Sequence, residues 1–218
     1  ANDWARAVGL PTEADALVEV ILGDGLPMDL GRTDTGQAVL NAVSIGSGAK
    51  ITAETPPRLK AWLGALAYPL YGLIAADGPQ PFRVRMTAGD HAWHGDALAV
   101  CVANGQTAGG HLAVAPHALL DDGLLDVLVV PAVDESALSA LSTLLRDLTR
   151  PAWDTAFDEL IYSQAEAVSL SFPDGERLLT IDGEPRRTDA LTVRAETHAV
   201  RACAPPGPLF AATQRVDA

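Results

Sequence analysis

The amino-acid sequence predicts an α+β chain that is mainly β, a β-sandwich or open barrel preceded by two short helices. Three observations carry this expectation. About nine short runs rich in Val, Ile, Leu and Thr are separated by Gly, Asp and Pro turn signals. Helical periodicity is confined to four segments, the first two at the start of the chain. Hydrophobic residues make up 48% and charged residues 20% of the 218, which supports a buried core and excludes disordered, collagen-like and disulfide-scaffold classes.

Taken in order, Asp3 to Val8 reads as a short helix stopped by Gly9 and Pro11. Thr12-Glu13-Ala14-Asp15 reads as a capping-box variant opening a second helix, with Ala16, Leu17, Val20 and Ile21 as its apolar face and Gly23-Asp24-Gly25 ending it. The strand candidates are Pro27 to Thr33, Ala38 to Ile45, Phe82 to Thr87, Ala92 to Ala103, Leu124 to Val130, Ala167 to Phe172, Leu178 to Ile181, Leu191 to Ala195 and Ala199 to Cys203. Two further helices are predicted between them, Pro57 to about Ala76 and Asp134 to about Leu148, the latter with a stripe at Leu138, Leu141 and Leu145.

Charge and cysteine usage narrow the function classes. Fifteen Lys and Arg against 28 Asp and Glu give −13, which disfavours non-specific attraction to nucleic acid or anionic lipid. Cys101 and Cys203 lie in apolar strand-like runs and are expected as two small core thiols in preference to the alternative of a buried disulfide, fitting a reducing, cytoplasmic setting. The start lacks a charged n-region and apolar h-region, and the longest uncharged run, Ala61 to Ala76, is too short to span a bilayer. There is no initiator Met, and Asn2-Asp3 stands where a preceding strand and turn would lead into a helix, so the chain is expected to be part of something longer.

Three turns carry residue types suited to chemistry. Asn104-Gly105-Gln106-Thr107-Ala108-Gly109-Gly110 follows a strongly apolar strand; its amides suit an anion or a close backbone approach, and equally a plain glycine-rich loop. Leu119-Leu120-Asp121-Asp122-Gly123-Leu124 offers carboxylate and carbonyl oxygens to a hard cation, or forms a hairpin corner. Thr180-Ile181-Asp182-Gly183-Glu184-Pro185 places two acids around a glycine, where Glu184 can serve as a general base or both can shape a turn. The five histidines do not cluster, His91 and His94 falling on opposite faces of a strand, so no zinc site is expected. No Gly-x-Ser-x-Gly elbow, Walker loop or dinucleotide fingerprint occurs.

Those turns, in this order, resemble the YegS-like branch of the diacylglycerol kinase catalytic family, lipid kinases related to sphingosine kinases and more distantly to NAD kinases. The resemblance rests on Ala1-Asn2-Asp3-Trp4-Ala5-Arg6, on Ile51-Thr52-Ala53-Glu54-Thr55-Pro56 with Leu59-Lys60, and on Trp93-His94-Gly95-Asp96-Ala97-Leu98. It continues through Ala103-Asn104-Gly105-Gln106 with Ala108-Gly109-Gly110, Ala118-Leu119 through Leu125, and Ile181-Asp182-Gly183-Glu184-Pro185.

The resemblance implies a two-lobed kinase with its active site in the cleft. Residues 1–26 would be the last helices of an α/β nucleotide-binding lobe whose Gly-Gly-Asp-Gly-Thr loop is not in this sequence, 27–203 the β-sandwich substrate lobe, and 204–218 a Pro-rich segment. It implies ATP as phosphate donor, Mg2+, and a glycerolipid acceptor, phosphatidylglycerol or diacylglycerol, met at a membrane surface from the cytoplasm. Glu184 would accept the proton of the lipid hydroxyl, with Asp182 beside it. Asn2 and Asp3 would face the nucleotide, Asp122 with the carbonyls of Leu119 and Leu124 would hold a structural magnesium, and Asn104, Gly105, Gly109 and Gly110 would form the adjoining loop. Trp62, Leu66, Leu70 and Tyr71 are expected either to pack in the core or to form an apolar lipid-facing patch. The alternatives are a non-catalytic β-sandwich that binds lipid or a partner protein, and an NAD kinase relative.

Overall fold

A thirteen-residue strand, β5 (His91–Ala103), organises the molecule in this computed structural model, which describes residues 3–46, 81–108, 112–132 and 160–210. Its first half pairs with β4 (Phe82–Ala88), and its second half carries β3 (Ala42–Gly46) on one edge and β8 (Leu125–Pro131) on the other. The sheet continues from β4 through β10 (Ala167–Ser171), β13 (Ala190–Ala202), β1 (Leu26–Thr33) and β2 (Ala38–Val39). On the other side β3 leads to β11 (Arg177–Ile181) and β12 (Glu184–Thr188), while β8 carries β9 (Ile161–Ala165). These eleven strands form one antiparallel sheet, and β6 (Thr107–Ala108) with β7 (Leu112–Ala113) makes a separate two-stranded ribbon.

The sheet curls on itself around one core, which gives the sandwich-like layering expected of a mainly β chain. Strict alternation dictates which side chains enter it: in β4, Phe82, Val84, Met86 and Ala88 are buried while Arg83, Arg85 and Thr87 are exposed. Val43 and Ile45 of β3, Leu179 and Ile181 of β11, and Val168 and Leu170 of β10 fill the same core. A second cluster joins Trp4 of the first helix and Val8 just after it to Met28, Leu30, Leu120, Leu209 and Phe210.

Helices α1 (Asp3–Ala7) and α2 (Ala14–Leu22) precede the sheet. The expected capping box does not form: Glu13 is the N-cap of α2 and makes no side-chain cap bond. Nor does the expected apolar face bury itself, since no residue of α2 is buried and Ile21 is 54% exposed. The run from Ala38 to Ile45 is broken into β2 and β3 because Leu40 and Asn41 turn their amides to a carboxylate described below. The two runs Leu191–Ala195 and Ala199–Cys203 join as the single strand β13, bulged opposite β1. Strands β9 and β12, not expected from the sequence, form because each has a neighbouring strand to pair with. Cys101 is buried, but Cys203 is exposed and therefore not a core thiol; the two are unpaired. The predicted helices around 57–76 and 134–148, with Trp62, Leu66, Leu70 and Tyr71, lie outside the described residues.

Candidate functional site

One end of the sheet gathers the three turns. Val43 pairs with Ile181 on one side and Val102 on the other, so the next residues along, Asp182 and Ala103, flank Ala42. The hairpin β11–β12 closes through Asp182-Gly183, both with positive φ (50° and 93°), between the paired residues Ile181 and Glu184. This is the two-residue turn for which Asp-Gly is favoured, because its twist matches the flanking strands. The Asp182 carboxylate accepts the backbone N–H groups of Leu40 (2.7 Å), Asn41 (2.8 Å) and Ala42 (2.9 Å), and its own N–H donates to the Ala42 carbonyl. Asp182 thus fixes the corner between β2 and β3. Glu184, the first residue of β12, is exposed beside it.

Asn104 follows β5 and is completely buried. Its Nδ2 donates to the carbonyls of Asp29 (3.1 Å) and Leu40 (3.0 Å), and its N–H donates to the Asn41 carbonyl at 2.9 Å. Gly105 is required here, since a Cβ at this position would stand 2.5 Å from Asn41 Oδ1. Asn41 Nδ2 in turn donates to the Thr107 carbonyl, and α1 packs against β6, the strand that Thr107 begins. Buried Asn41 Oδ1, Asn104 Oδ1 and Thr107 Oγ1 have no hydrogen-bond partner among the described residues. Such groups are costly unless a ligand or water satisfies them.

Asp29 ties in the third turn. This fully buried carboxylate accepts Gly123 N–H and His198 N–H, each at 2.7 Å, while its backbone N–H donates to the Leu120 carbonyl. Asp122 Oδ1 accepts the Leu124 N–H at 3.0 Å. Burial raises the Asp122 pKa above the usual carboxylate range, and the charges of Asp29 and Asp121 add to the rise. Asp126, 2% exposed, is pushed to about 7 by burial, opposed by its bond from Gln164 and assisted by Asp122; Tyr162 also donates to it. Carboxylate and carbonyl oxygens are the ligand types a hard cation takes, and the Leu119–Leu124 turn carries both. Among the described residues no three His, Cys, Asp or Glu side chains are grouped to hold a metal.

The structure therefore links the turns at Asn104, Asp122 and Asp182 through Asp29 and Asn41, two residues the sequence reading did not single out. Asp29 sits in a strand-like run with no local signal; Asn41 sits inside a run read as continuous strand. Of the remaining expected site residues, Asp3 is the first residue of α1, and Asn2, Gly109 and Gly110 lie outside the described residues. No helix among the described residues is long and apolar enough to cross a membrane.

Comparison with known proteins bears on this site. Residues 41–203 match the YegS C-terminal NAD kinase beta sandwich-like domain. The chain is 33% identical over 207 residues to lipid kinase YegS of Escherichia coli strain K12, covering 94% of this chain and 66% of that protein. The solved structure of a diacylglycerol kinase from Bacillus anthracis str. Sterne superposes with a TM-score of 0.64 at 19% identity, over 94% of this chain and 64% of that one. A second crystal structure from the same organism gives 0.73 at 22% identity, over 94% and 66%.

Proposed function

The chain belongs to the YegS family of lipid kinases through its C-terminal NAD kinase beta sandwich-like domain, and from that premise we propose that it is the acceptor lobe of an ATP-dependent kinase that phosphorylates a glycerolipid hydroxyl. The observation that carries this reading is the β11–β12 turn: Asp182 spends its carboxylate on three backbone amides, leaving Glu184 exposed at the end of the same two-residue turn.

In this mechanism Glu184 is the general base, accepting the proton of the acceptor hydroxyl as its oxygen bonds to the γ-phosphorus and the bond from that phosphorus to the bridging oxygen breaks, releasing ADP. Asp182 is a positioning residue that holds the 40–42 corner against the turn. Asn104 and Gly105 fix the floor beside it, where the unpartnered oxygens of Asn41, Asn104 and Thr107 suit hydroxyl donors of a glycerol headgroup. Asp122 with the carbonyls of Leu119 and Leu124 would hold a structural magnesium. ATP would supply the phosphoryl group, and a magnesium ion bound with it would lend charge screening. On the same reading Asn2 and Asp3 would face the nucleotide, residues 1–26 would belong to that lobe, and the chain would act from the cytoplasm at a membrane surface.

The test is phosphate transfer from labelled ATP with magnesium, by the complete kinase carrying this chain, to phosphatidylglycerol, diacylglycerol, sphingosine and NAD. Transfer to one glycerolipid, lost by orders of magnitude in Glu184→Gln, is the expected result. A variant with wild-type turnover removes Glu184 as base, and transfer only to NAD replaces the lipid reading.

A further inference from the structure

We propose that the outward face of the β4–β5 hairpin binds a single phosphate group, a mono- or diester, between Arg85 and His94. A surface depression of about 350 Å³ lies there, lined by Arg83, Arg85, His94, Gly95 and Asp96. Alternation along both strands places it: Val84 and Met86 point into the core, so Arg83 and Arg85 point out, as do His94 and Asp96. Arg85 is directly opposite His94, and Arg83 directly opposite Asp96. Cross-strand pairs hold their Cβ atoms about 5 Å apart, close enough for two donors to meet on one tetrahedral anion.

The two pairs have different electrostatic states. Arg83 Nε donates to Asp96 Oδ1 at 3.2 Å, so those charges largely cancel. Arg85 forms no ion pair among the described residues. On its other flank it faces Ser171 of β10. His94, Arg85 and Ser171 therefore form a row of three donors across three adjacent strands. A guanidinium fork matches two phosphate oxygens, leaving others for the imidazole and hydroxyl. A polyanion does not fit, because the chain as a whole carries −13.

The site stands apart from the kinase reading. His94 and Asn104 are ten residues apart along β5, about 30 Å in extended chain, and binding is read without ATP or turnover. Such a phosphate comes either from solution or from a lipid headgroup, and two arms of one experiment separate these sources. In the first, inorganic phosphate and glycerol 3-phosphate are titrated at constant ionic strength against chloride, following the Arg85 Nε–H and His94 ring signals by NMR. In the second, sedimentation with phosphatidylglycerol-containing vesicles is compared with pure phosphatidylcholine.

Saturable shifts with phosphate, weakened about tenfold in Arg85→Gln, establish a soluble phosphate ligand. Sedimentation only with phosphatidylglycerol vesicles, reduced about tenfold in the same variant, establishes a headgroup site. Shifts equal to those in chloride together with vesicle binding unchanged in Arg85→Gln overturn the proposal. Arg85 is exposed on its strand, and an unchanged melting curve confirms that the variant is folded.

Discussion

Asp29 Oδ1 accepts the backbone N–H of His198 at 2.7 Å, and this bond closes the bulge where β13 leaves its register with β1. Met28 pairs with Val200 and Leu30 with Glu196, so Thr197, His198 and Ala199 lie opposite the single residue Asp29. His198 takes a φ of 50° there, a conformation uncommon outside glycine. The other carboxylate oxygen holds Gly123, so one buried side chain fixes both a bulge and the Asp121–Leu124 turn.

Asp29→Ala should therefore be costly. It removes the buried carboxylate to which two backbone N–H groups donate, and the expected loss is about 2–4 kcal/mol, read as a lower denaturation midpoint. A loss below about 0.5 kcal/mol would show that water replaces the carboxylate without penalty.

Asp182 and Glu184 are two residues apart yet should separate by readout. Asp182→Asn places an amide nitrogen among three N–H donors and should cost about 1–3 kcal/mol of stability. Glu184→Gln changes an exposed group and should leave stability within about 0.5 kcal/mol while turnover collapses. Equal destabilisation by both would make Glu184 a structural residue.

Gly105→Ala tests the packing of the site floor. The added methyl carbon would stand 2.5 Å from Asn41 Oδ1, and Asn41 is held by Thr107, so it cannot simply swing away. The expected cost is about 1–3 kcal/mol, with chemical-shift changes concentrated at Leu40 to Ala42. Unperturbed shifts there would mean that Asn41 is freer than its bonds indicate.

Asp126 sets a pH dependence of definite sign. Its folded-state pKa is about 7, well above that of an ordinary aspartate, so folding favours the protonated form. That stabilising contribution is complete below about pH 4 and is lost as pH rises through 7, by an amount of order 4 kcal/mol at most. Asp126→Asn keeps a neutral group beside Gln164 and Tyr162, and should flatten the fall in melting temperature between pH 5 and 8. Identical pH profiles for the two proteins would place the titration elsewhere.

The strands were legible where burial is one-sided. Phe82 to Thr87 alternates apolar and polar residues without exception, and the structure realises it as β4 nearly to the residue. The turn at Asp182-Gly183 was legible because Asp-Gly carries its own hairpin preference. Helix α2 was misread at its start because a cap depends on side-chain geometry that spacing alone does not supply. Strand β12, Glu184-Pro185-Arg186-Arg187-Thr188, has no apolar pattern; it exists because β11 offers it a hydrogen-bonding edge.

The candidate site divides in the same way. Local chemistry marks Asn104-Gly105, Asp122-Gly123 and Asp182-Gly183-Glu184, because turns need residues that tolerate positive φ and short-range hydrogen bonds. That these turns converge, and that Asp29 and Asn41 join them, follows only from the antiparallel ladders linking β11, β3 and β5 and from β1 crossing to β13. The sequence by itself determined which segments are strands and which turns carry carboxylates, since both depend on neighbours within a few residues. The tertiary structure alone decided that Asp182 is spent on backbone amides while Glu184 stays exposed. Those amides are supplied by residues some 140 positions away, and no local pattern encodes their approach.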